Sequence, residues 1–336
     1  MKVAVLTFFM TAVSAALLPS YRFVGRVNPA TKQLTWPSTG VAFTFKGTTA
    51  SIKIDGITGT SSADLIIDGG NPILIKNVEG TSISTPKLTK GTHTVELRKR
   101  SEASFGVFRV TGVNTDGQLV ENVAPKRKIE IIGDSITVGY AVLQDNGKTY
   151  GAVAARGLKA DYSVVAWSGK GLTRNYAQNP PDTSPTMPVL YTRYGANDAD
   201  NSYTFPSSWV PDAVVINLGT NDFSYLNVRQ PVNPADLTQA LVKLVKSIQP
   251  HYPKAQFFFV SSPLLSDYYP TAADAQKSTD VKVLKDVMQQ LAGIKTHLVD
   301  WPTQGSDSGC DYHPNAATQA QGGALLEASI KAALGW

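Results

Sequence analysis

A serine and a histidine in this sequence have the surroundings needed for nucleophilic catalysis. Ser135 ends a Gly-Asp-Ser triplet that follows an apolar run at 129–132, which predicts a buried strand leading into a helix. A serine at the first turn of a helix lies beside free N–H groups and the positive end of the helix dipole. His313, one of only four histidines, precedes a proline. A neutral imidazole can take the serine proton and return it to a leaving alcohol.

Two further turns could supply hydrogen-bond donors to an oxyanion. Asn221 lies in a Gly-Thr-Asn-Asp segment after the apolar run 213–217. One side-chain amide donor aimed at a tetrahedral oxyanion is worth about 3–4 kcal/mol, although an Asx-turn is the plainer role. Gly169, or less favourably Gly171, follows a strand candidate at 163–167, where a glycine lets a backbone N–H approach a substrate. A tight turn is the alternative.

Residues 1–16 are predicted to be a secretory signal peptide. Lys2 supplies the positive start, a mostly apolar run covers 3–13, and small residues at 13–15 fit a cleavage site. The run is too short to span a bilayer, and a buried first strand is the alternative. We therefore expect a secreted, extracellular protein without a membrane partner.

The composition of the 336 residues is that of a globular protein, with 42% apolar and 17% charged residues and a net charge of +5. Basic residues do not alternate with aromatic ones, so no nucleic-acid partner is expected. Histidine and carboxylate residues do not cluster at metal-ligand spacing, so neither a metal nor a cofactor is predicted. The single cysteine, Cys310, permits no intramolecular disulfide and is not marked as a reactive thiolate. A monomer is expected.

The chain is predicted to form two domains after the signal peptide. Residues 17–122 contain short alternating runs separated by turn residues, which is typical of an all-β antiparallel sandwich. From 126 to 336, strands alternate with amphipathic helices, which predicts a parallel sheet covered on both faces. The strand candidates of this second domain are 129–132, 163–167, 213–217, 256–261 and 297–299, and its helix candidates are 236–249, 279–291 and 318–334. Ligands of such folds bind beyond the carboxyl ends of the strands.

A long segment at 173–211 has little periodicity and many aromatic residues, including Trp209. Loops of this length are usually functional or disordered. Its aromatic content favours an ordered wall over the active site.

In this order, the motifs resemble the SGNH (GDSL-type) hydrolase superfamily. Its blocks are Gly-Asp-Ser, a glycine, Gly-x-Asn-Asp and Asp-x-x-His, and they correspond here to Ser135, Gly169, Asn221 and His313. The resemblance implies a three-layer, flavodoxin-like α/β domain with a parallel sheet. It also implies an acyl-enzyme mechanism in which the N–H groups of Ser135 and Gly169 and the Asn221 amide form the oxyanion hole.

Segments 133–140, 168–171, 187–193 and 309–314 look like carbohydrate esterase family 2, of the acetylxylan esterase type. That resemblance implies an N-terminal jelly-roll sandwich. It also implies removal of acetyl groups from plant polysaccharides or oligosaccharides, such as acetylxylan or acetylated mannan.

One position departs from the superfamily pattern. The aspartate expected three residues before the histidine is Cys310 here, and Asp311 lies two residues before it. A carboxylate usually holds the imidazole tautomer, although family 2 members can use a backbone carbonyl instead. Asp311 is therefore a candidate third catalytic residue and a candidate sugar ligand.

Aromatic residues complete the predicted substrate contacts. Tyr312 corresponds to an aromatic position in family 2 and could stack on a sugar ring, with a core tyrosine as the alternative. Tyr140 and Trp209 are further candidates, together with Asp311.

Two other functions stay open at this stage. One is an SGNH lipase, thioesterase or peptidoglycan O-acetylesterase, which would need a groove for a different acyl chain or glycan. The other is a catalytically inactive carbohydrate-binding protein, against which the complete set of serine, glycine, asparagine and histidine argues.

Overall fold

The structure is a computed structural model that describes residues 21–140 and 145–336. The predicted signal peptide lies outside the described residues. Ten short strands come first in the described chain: β1 (Arg22–Val24), β2 (Gln33–Leu34), β3 (Gly40–Gly47), β4 (Ala50–Gly59), β5 (Ala63–Ile67), β6 (Ile73–Ile75), β7 (Ser82–Ser84), β8 (Gly91–Lys99), β9 (Gly106–Thr115) and β10 (Gln118–Val120).

These strands form two antiparallel sheets that pack face to face. One sheet has the order β1-β3-β8-β5-β6, with β10 also paired to β3, and the other has the order β2-β9-β4-β7. Alternate side chains point inward and fill the space between the sheets, among them Phe43, Phe45, Leu97 and Phe108. This arrangement confirms the predicted all-β sandwich. The sequence pattern missed only strands of two or three residues, which are too short to show a period.

Five parallel strands form the sheet of the second domain, in the order β12-β11-β13-β14-β15. They are β11 (Lys128–Gly133), β12 (Asp161–Ala166), β13 (Ala213–Asn217), β14 (Gln256–Val260) and β15 (Thr296–Val299). After β11 the chain forms β12 on one side of that strand, and it later forms β13 on the other side. The carboxyl ends of β12 and β13 therefore flank that of β11, with Gly133 opposite both Ala166 and Asn217. This is the topological switch point where ligands bind in such folds.

Helices cover both faces of this sheet, which confirms the predicted α/β domain. They are α1 (Ser135–Val138), α2 (Tyr150–Gly157), α3 (Met187–Leu190), α4 (Thr220–Phe223), α5 (Pro234–Ile248), α6 (Gln276–Gln290) and α7 (Ala316–Leu334). Helices α5 and α6 bury their apolar stripes on one face, and α2 and α7 on the other. Helix α5 begins at Pro234, two residues before the start of its apolar periodicity, because Asn233 caps it, accepting the Ala235 N–H at 3.1 Å. Helix α6 begins three residues earlier than its periodicity indicates.

The sandwich is joined to the second domain by buried contacts. Trp36 and Ala103 of the sandwich belong to the apolar core beneath α5 and α6. The Arg26 guanidinium lies 2.6 Å from the Glu130 carboxylate, and both side chains are almost fully buried. In such a setting each charge depends on its partner, since removing one leaves the other uncompensated.

Most of the aromatic segment at 173–211 does not form the expected wall over the active site; Tyr176, whose N–H donates to the Gly169 carbonyl at 2.7 Å, is the exception. Two of its tyrosines instead pack around a sandwich residue, because the Arg26 guanidinium lies 3.6 Å from the centre of the Tyr203 ring and 4.4 Å from that of Tyr191. Most of this aromatic content therefore serves domain docking. Within the described ranges, every helix is too short or too polar to cross a membrane.

Candidate active site

Ser135 lies where β11 ends and α1 begins, at the carboxyl edge of the parallel sheet. The Asp134 carboxylate caps this helix by accepting the Ile136 N–H at 3.0 Å. The turn is tight, since a Cβ on Gly133 would lie 2.0 Å from Thr137 Oγ1. The N–H of Ser135, at the start of the helix and directly beside its own hydroxyl, has no acceptor among the described residues.

His313 reaches Ser135 from a long loop that follows the edge strand β15. Its Nε2 lies 2.8 Å from Ser135 Oγ, although 178 positions separate the two residues in sequence. Behind the histidine, Gln319 of α7 is 1% exposed; its side chain donates to the Ile136 carbonyl at 2.9 Å and accepts the Tyr150 N–H at 2.7 Å. Gln319 thus fastens the helix that follows His313 to the helix that begins at Ser135.

A main-chain carbonyl sets the tautomer of the imidazole. His313 Nδ1 lies 3.0 Å from the carbonyl oxygen of Asp311. A carbonyl oxygen only accepts, so Nδ1 carries the hydrogen and Nε2 presents a lone pair. Nε2 is then the acceptor for the Ser135 hydroxyl. The pair has the connectivity of a general base and its nucleophile.

The Asp311 carboxylate does not take the third place of a triad. It accepts a hydrogen bond from the Tyr140 hydroxyl at 3.0 Å, and the Tyr140 ring lies 4.7 Å from the His313 imidazole, centre to centre. Asp311 and Tyr312 both adopt left-handed conformations, with φ of 49° and 59°. These conformations, unusual for residues with a Cβ, direct the carbonyl at the imidazole. Of the two alternatives for orienting the imidazole, the main-chain carbonyl is therefore the one observed, and the Asp311 carboxylate is not a third catalytic residue.

Burial shapes the electrostatics of the pair. Desolvation lowers the pKa of His313 below its usual range, and the Asp311 carbonyl offsets part of this effect. The imidazole therefore stays neutral at neutral pH. Neutral imidazole is the form that can accept the serine proton.

The structure distinguishes between the two candidate glycines for the oxyanion hole. Gly169 has φ of +77°, and a Cβ there would have only the Tyr176 Cβ within 4 Å, at 3.9 Å. The space in front of this residue is open, and its N–H donates to no other described residue. Gly171, by contrast, donates its N–H to Asn175 Oδ1 at 3.3 Å, and a Cβ there would lie 1.9 Å from the Arg174 carbonyl. Gly169 is thus the residue placed to donate to a substrate.

Asn221 lies at the start of α4, beyond the carboxyl end of β13. Its side-chain nitrogen donates to the Lys170 carbonyl at 3.0 Å and to the Asp134 carboxylate at 3.3 Å. An oxyanion that uses this amide therefore competes with Asp134 for one hydrogen. Burial, reinforced by the nearby Asp222, raises the pKa of Asp134 to about 7. Partial protonation weakens that competition near neutral pH.

Asp222 is a structural residue of the site that the sequence patterns missed. Its carboxylate is fully buried and accepts the N–H groups of Leu172 and Thr173, each at 2.7 Å, and that of Arg174 at 3.0 Å. It thereby connects the loop after β12 to the loop after β13. The Gly-x-Asn-Asp block contained this signal, because a second acidic residue beside the asparagine needs buried donors.

The four predicted sugar-contacting residues divide into two groups. Tyr140 and Asp311 lie against His313, and Tyr312 is 82% exposed directly beside it. Trp209 lies elsewhere, which corrects that prediction. It adjoins Lys128 at the amino end of β11, the opposite edge of the sheet from Ser135. The segment 173–211 returns along the domain interface and brings Trp209 to that edge.

The other three histidines have partners of their own. His93 Nδ1 is 2.8 Å from the Asp68 carboxylate, and His297 Nε2 is 2.6 Å from Gln256 Oε1. His251 stacks on Phe205 with ring centres 3.8 Å apart. His313 is the one that meets a serine. Across residues 21–140 and 145–336, no three His, Cys, Asp or Glu side chains are grouped as a metal site.

Two family models match the chain. Residues 23–122 match the model described as carbohydrate esterase 2 N-terminal, and residues 131–321 match the GDSL-like lipase/acylhydrolase family. An acetylxylan esterase / glucomannan deacetylase of Cellvibrio japonicus is 31% identical over 314 residues, covering 86% of this chain and 82% of that protein. The cellulase/esterase CelE of Acetivibrio thermocellus is 33% identical over 352 residues, covering 95% of this chain but only 40% of CelE.

Solved structures show the same two-part arrangement. A carbohydrate esterase family 2 enzyme plus carbohydrate-binding domain from Corynascus thermopiles (Myceliophthora fergusii) is 60% identical, with a TM-score of 0.91, covering 94% of this chain and all of that one. A family two carbohydrate esterase from Clostridium thermocellum in complex with cellohexaose is 31% identical, with a TM-score of 0.82, covering 94% and 99% of the two chains.

Proposed function

Because this chain belongs to carbohydrate esterase family 2, we propose that it is a carbohydrate O-acetyl esterase that removes acetyl groups from plant polysaccharides or oligosaccharides. The observation that carries the proposal is the 2.8 Å contact between Ser135 Oγ and His313 Nε2, beside the N–H of Gly169, which donates to no other residue that the structure describes. Support for the substrate class comes from the Cellvibrio relative, named for acetylxylan and glucomannan, and from the Clostridium structure with cellohexaose.

Acylation begins with the serine hydroxyl. Ser135 Oγ attacks the acetyl carbonyl carbon while its proton passes to His313 Nε2. The imidazolium that forms is stabilised by the Asp311 carbonyl, which already accepts from Nδ1 at 3.0 Å. The N–H groups of Ser135 and Gly169 and the Asn221 amide hold the carbonyl oxygen as it becomes an oxyanion. His313 then donates its proton to the sugar oxygen, which leaves as an alcohol.

Deacylation repeats these steps with water. His313 takes a proton from a water molecule that attacks the acetyl group on Ser135, and the same donors hold the second oxyanion. Collapse of this intermediate releases acetate and restores the serine hydroxyl. The site has to enclose only the small acetyl group that is attached to Ser135. The sugar can lie on the exposed surface beside Tyr312.

The surroundings of His313 suit a sugar as the leaving group. Tyr312 exposes its ring next to the imidazole, and such a face can cover the apolar side of a pyranose. Export through the predicted signal peptide at 1–16 is part of the proposal, because acetylated wall polysaccharides are met outside the cell.

Acetate release from acetylated xylan, acetylated glucomannan and acetylated cello-oligosaccharides tests the substrate class. The wild-type chain should release acetate from at least one of them, and release from none would reject this class. Comparison of acetate with octanoate aryl esters tests the lipase alternative, which predicts faster octanoate cleavage.

Three variants test the nucleophile with a small aryl acetate. Ser135→Ala should be inert, whereas Ser82→Ala, on an exposed position of the sandwich, should match the wild type. Cys310→Ala should also stay active, because the thiol is exposed and the serine carries the chemistry. Turnover by Ser135→Ala, or its loss in Cys310→Ala, would overturn the assignment.

A further inference from the structure

A carboxylate of the sandwich contacts the catalytic domain beside the oxyanion-hole turn. Glu102 lies in the short connection between β8 and β9 and is 2% exposed. Its Oε2 accepts the N–H of Ser168 at 2.8 Å. Ser168 immediately precedes Gly169, the proposed oxyanion donor. A residue from one domain thus holds the peptide next to a catalytic N–H of the other.

The glycine turn needs such an anchor. Gly169 adopts φ of +77° and has no side chain with which to fix its own orientation. On the C-terminal side of the glycine, its carbonyl accepts the Tyr176 N–H at 2.7 Å. On the N-terminal side of the glycine, the Ser168 N–H donates to the Glu102 carboxylate. The direction of the Gly169 N–H is therefore set by these two bonds together with the turn bond from the Lys170 N–H to the Trp167 carbonyl at 3.3 Å.

Glu102 is itself held firmly in place. The Lys99 side chain is completely buried, and its amino group donates to the carbonyl of Ser101 and, at 3.0 Å, to that of Glu102. The next residue, Ala103, packs into the core of the catalytic domain. The main chain on both sides of Glu102 is thus anchored, one side by the buried Lys99 amino group and the other by apolar packing.

The character of the contact favours a positioning role over a role in sugar binding. A carboxylate bonded to a backbone N–H makes a charge-assisted bond, which is stronger and more directional than a neutral one. Desolvation raises the pKa of Glu102, and the bond from Ser168 opposes that rise. At 2% exposure the side chain is not placed to meet a polysaccharide.

A second contact from the sandwich reaches the other side of the site. Ser38 donates to Asn146 Oδ1 at 2.5 Å, and the Asn146 amide donates to the carbonyls of Thr137 at 2.8 Å and Val138 at 3.3 Å. These carbonyls belong to α1, the helix that begins at Ser135. The sandwich therefore supports both the nucleophile helix and the oxyanion turn.

We infer that Glu102 is a positioning residue that orients the Gly169 N–H through Ser168, so that the sandwich domain completes the oxyanion hole. This inference rests on the proposed esterase function and deepens it. Loss of the carboxylate contact should weaken binding of the tetrahedral intermediate more than binding of the ester. The expected signature is a lower kcat at nearly constant KM.

Four variants test the inference. Glu102→Ala removes the acceptor, Glu102→Asp withdraws it by one methylene, and Glu102→Gln keeps an oxygen acceptor of the same reach. Glu79→Ala is the matched control, because Glu79 is an exposed glutamate of the same domain. For each, kcat and KM are measured with an aryl acetate, together with thermal unfolding and the affinity of a small boronic acid. The boronic acid forms a tetrahedral adduct with the nucleophilic serine.

We expect Glu102→Ala and Glu102→Asp to lower kcat roughly 10- to 100-fold, with KM within about 2-fold of the wild type. Boronic acid affinity should fall in the same proportion as kcat. Glu102→Gln should retain kcat within about 3-fold, since its amide oxygen still accepts the Ser168 N–H. The Asp and Gln variants keep the test informative if the alanine variant does not fold.

Two results would overturn the inference. One is a folded Glu102→Asp variant with wild-type kcat, and the other is an equal loss of kcat in the Gln and Asp variants. A drop in thermal stability with unchanged kcat would show a purely structural contact. Failure of the proposed function looks different, because the wild-type chain itself would then not turn over the ester.

Discussion

Substitution of Asp311 separates an imidazole oriented by a carbonyl from one oriented by a carboxylate. His313 Nδ1 bonds to the Asp311 main-chain oxygen at 3.0 Å, and every substitution keeps that oxygen. The carboxylate contacts the Tyr140 hydroxyl instead. In a Ser-His-Asp triad, neutralising the aspartate costs about 10⁴-fold in kcat. The geometry here predicts a far smaller loss.

The expected losses follow from the two things that the Asp311 side chain does. Asp311→Asn keeps an acceptor for Tyr140 and tolerates the left-handed backbone, so kcat should stay within about 3-fold of the wild type. Asp311→Ala forfeits a solvent-accessible hydrogen bond, about 1 kcal/mol, and strains an alanine at φ of 49°, about 1 kcal/mol more. If both costs fall on the transition state, kcat drops about 30-fold. Asp311→Gly avoids the strain and should lose only about 5-fold.

The assay is steady-state hydrolysis of an aryl acetate, with thermal unfolding as the check on folding. Tyr140→Phe is the matched variant, because it removes the same bond from the other partner and leaves the ring against His313. Combined with Asp311→Ala, it should add little further loss, since the bond is already gone. A loss of about 10³-fold or more in a folded Asp311→Asn variant would refute the carbonyl-oriented pair.

Three other predictions test the pH dependence, the helix connection and the glycine turn. Because burial lowers the pKa of His313, kcat/KM should decrease at acid pH with a midpoint below about 6.5, the usual pKa of a histidine. A midpoint above about 7 would contradict this. Gln319→Leu breaks two buried hydrogen bonds and should lower the free energy of unfolding, measured by urea titration, by about 2–4 kcal/mol. The control Gln321→Leu, at an exposed position of the same helix, should leave it unchanged. Equal stability of the two variants would contradict the role of Gln319 in joining α7 to α1. Gly169→Ala should fold but have a lower kcat, because the new Cβ meets open space while the positive φ of this residue strains an alanine. Gly171→Ala should unfold at a lower temperature than the wild type, because its Cβ would overlap the Arg174 carbonyl. A destabilised Gly169→Ala together with a stable Gly171→Ala would contradict this description of the turn.

The residues on neighbouring strands could be predicted from the sequence. Ser135, Gly169 and Asn221 each follow an apolar run, and the carboxyl ends of parallel strands share one edge. No pairing rule brings His313 to that edge, because its loop starts from the outermost strand. Only the motif resemblance and the small number of histidines pointed to it.

The resemblance to family 2 offered a main-chain carbonyl as one way of orienting the imidazole, but the sequence did not decide between that carbonyl and the Asp311 carboxylate. The orientation depends on left-handed conformations at Asp311 and Tyr312; aspartate adopts this conformation more often than most residues, but tyrosine does not. A sequence pattern shows which side chains are available, whereas here a main-chain oxygen does the work. Asp311 was therefore identified as a residue of the site, while the choice between its carbonyl and its carboxylate needed the structure.

Contacts between the domains were equally hidden. Trp209 and Glu102 are placed by the docking of the sandwich onto the parallel sheet, which depends on the shapes of both surfaces. Trp209 lies in a segment with no periodicity, so its path along the interface left no signal. Glu102 lies in a short connection between strands of the two sandwich sheets, where an acidic residue is ordinarily solvent-exposed.

The most direct test of the central claim is the site and rate of labelling by a fluorophosphonate, which bonds covalently to an activated serine. Peptide mass spectrometry should find the label on Ser135 of the wild-type chain, and His313→Ala should slow the labelling at least about 100-fold. A label on another residue, or a labelling rate unchanged by His313→Ala, would contradict a serine activated by that imidazole.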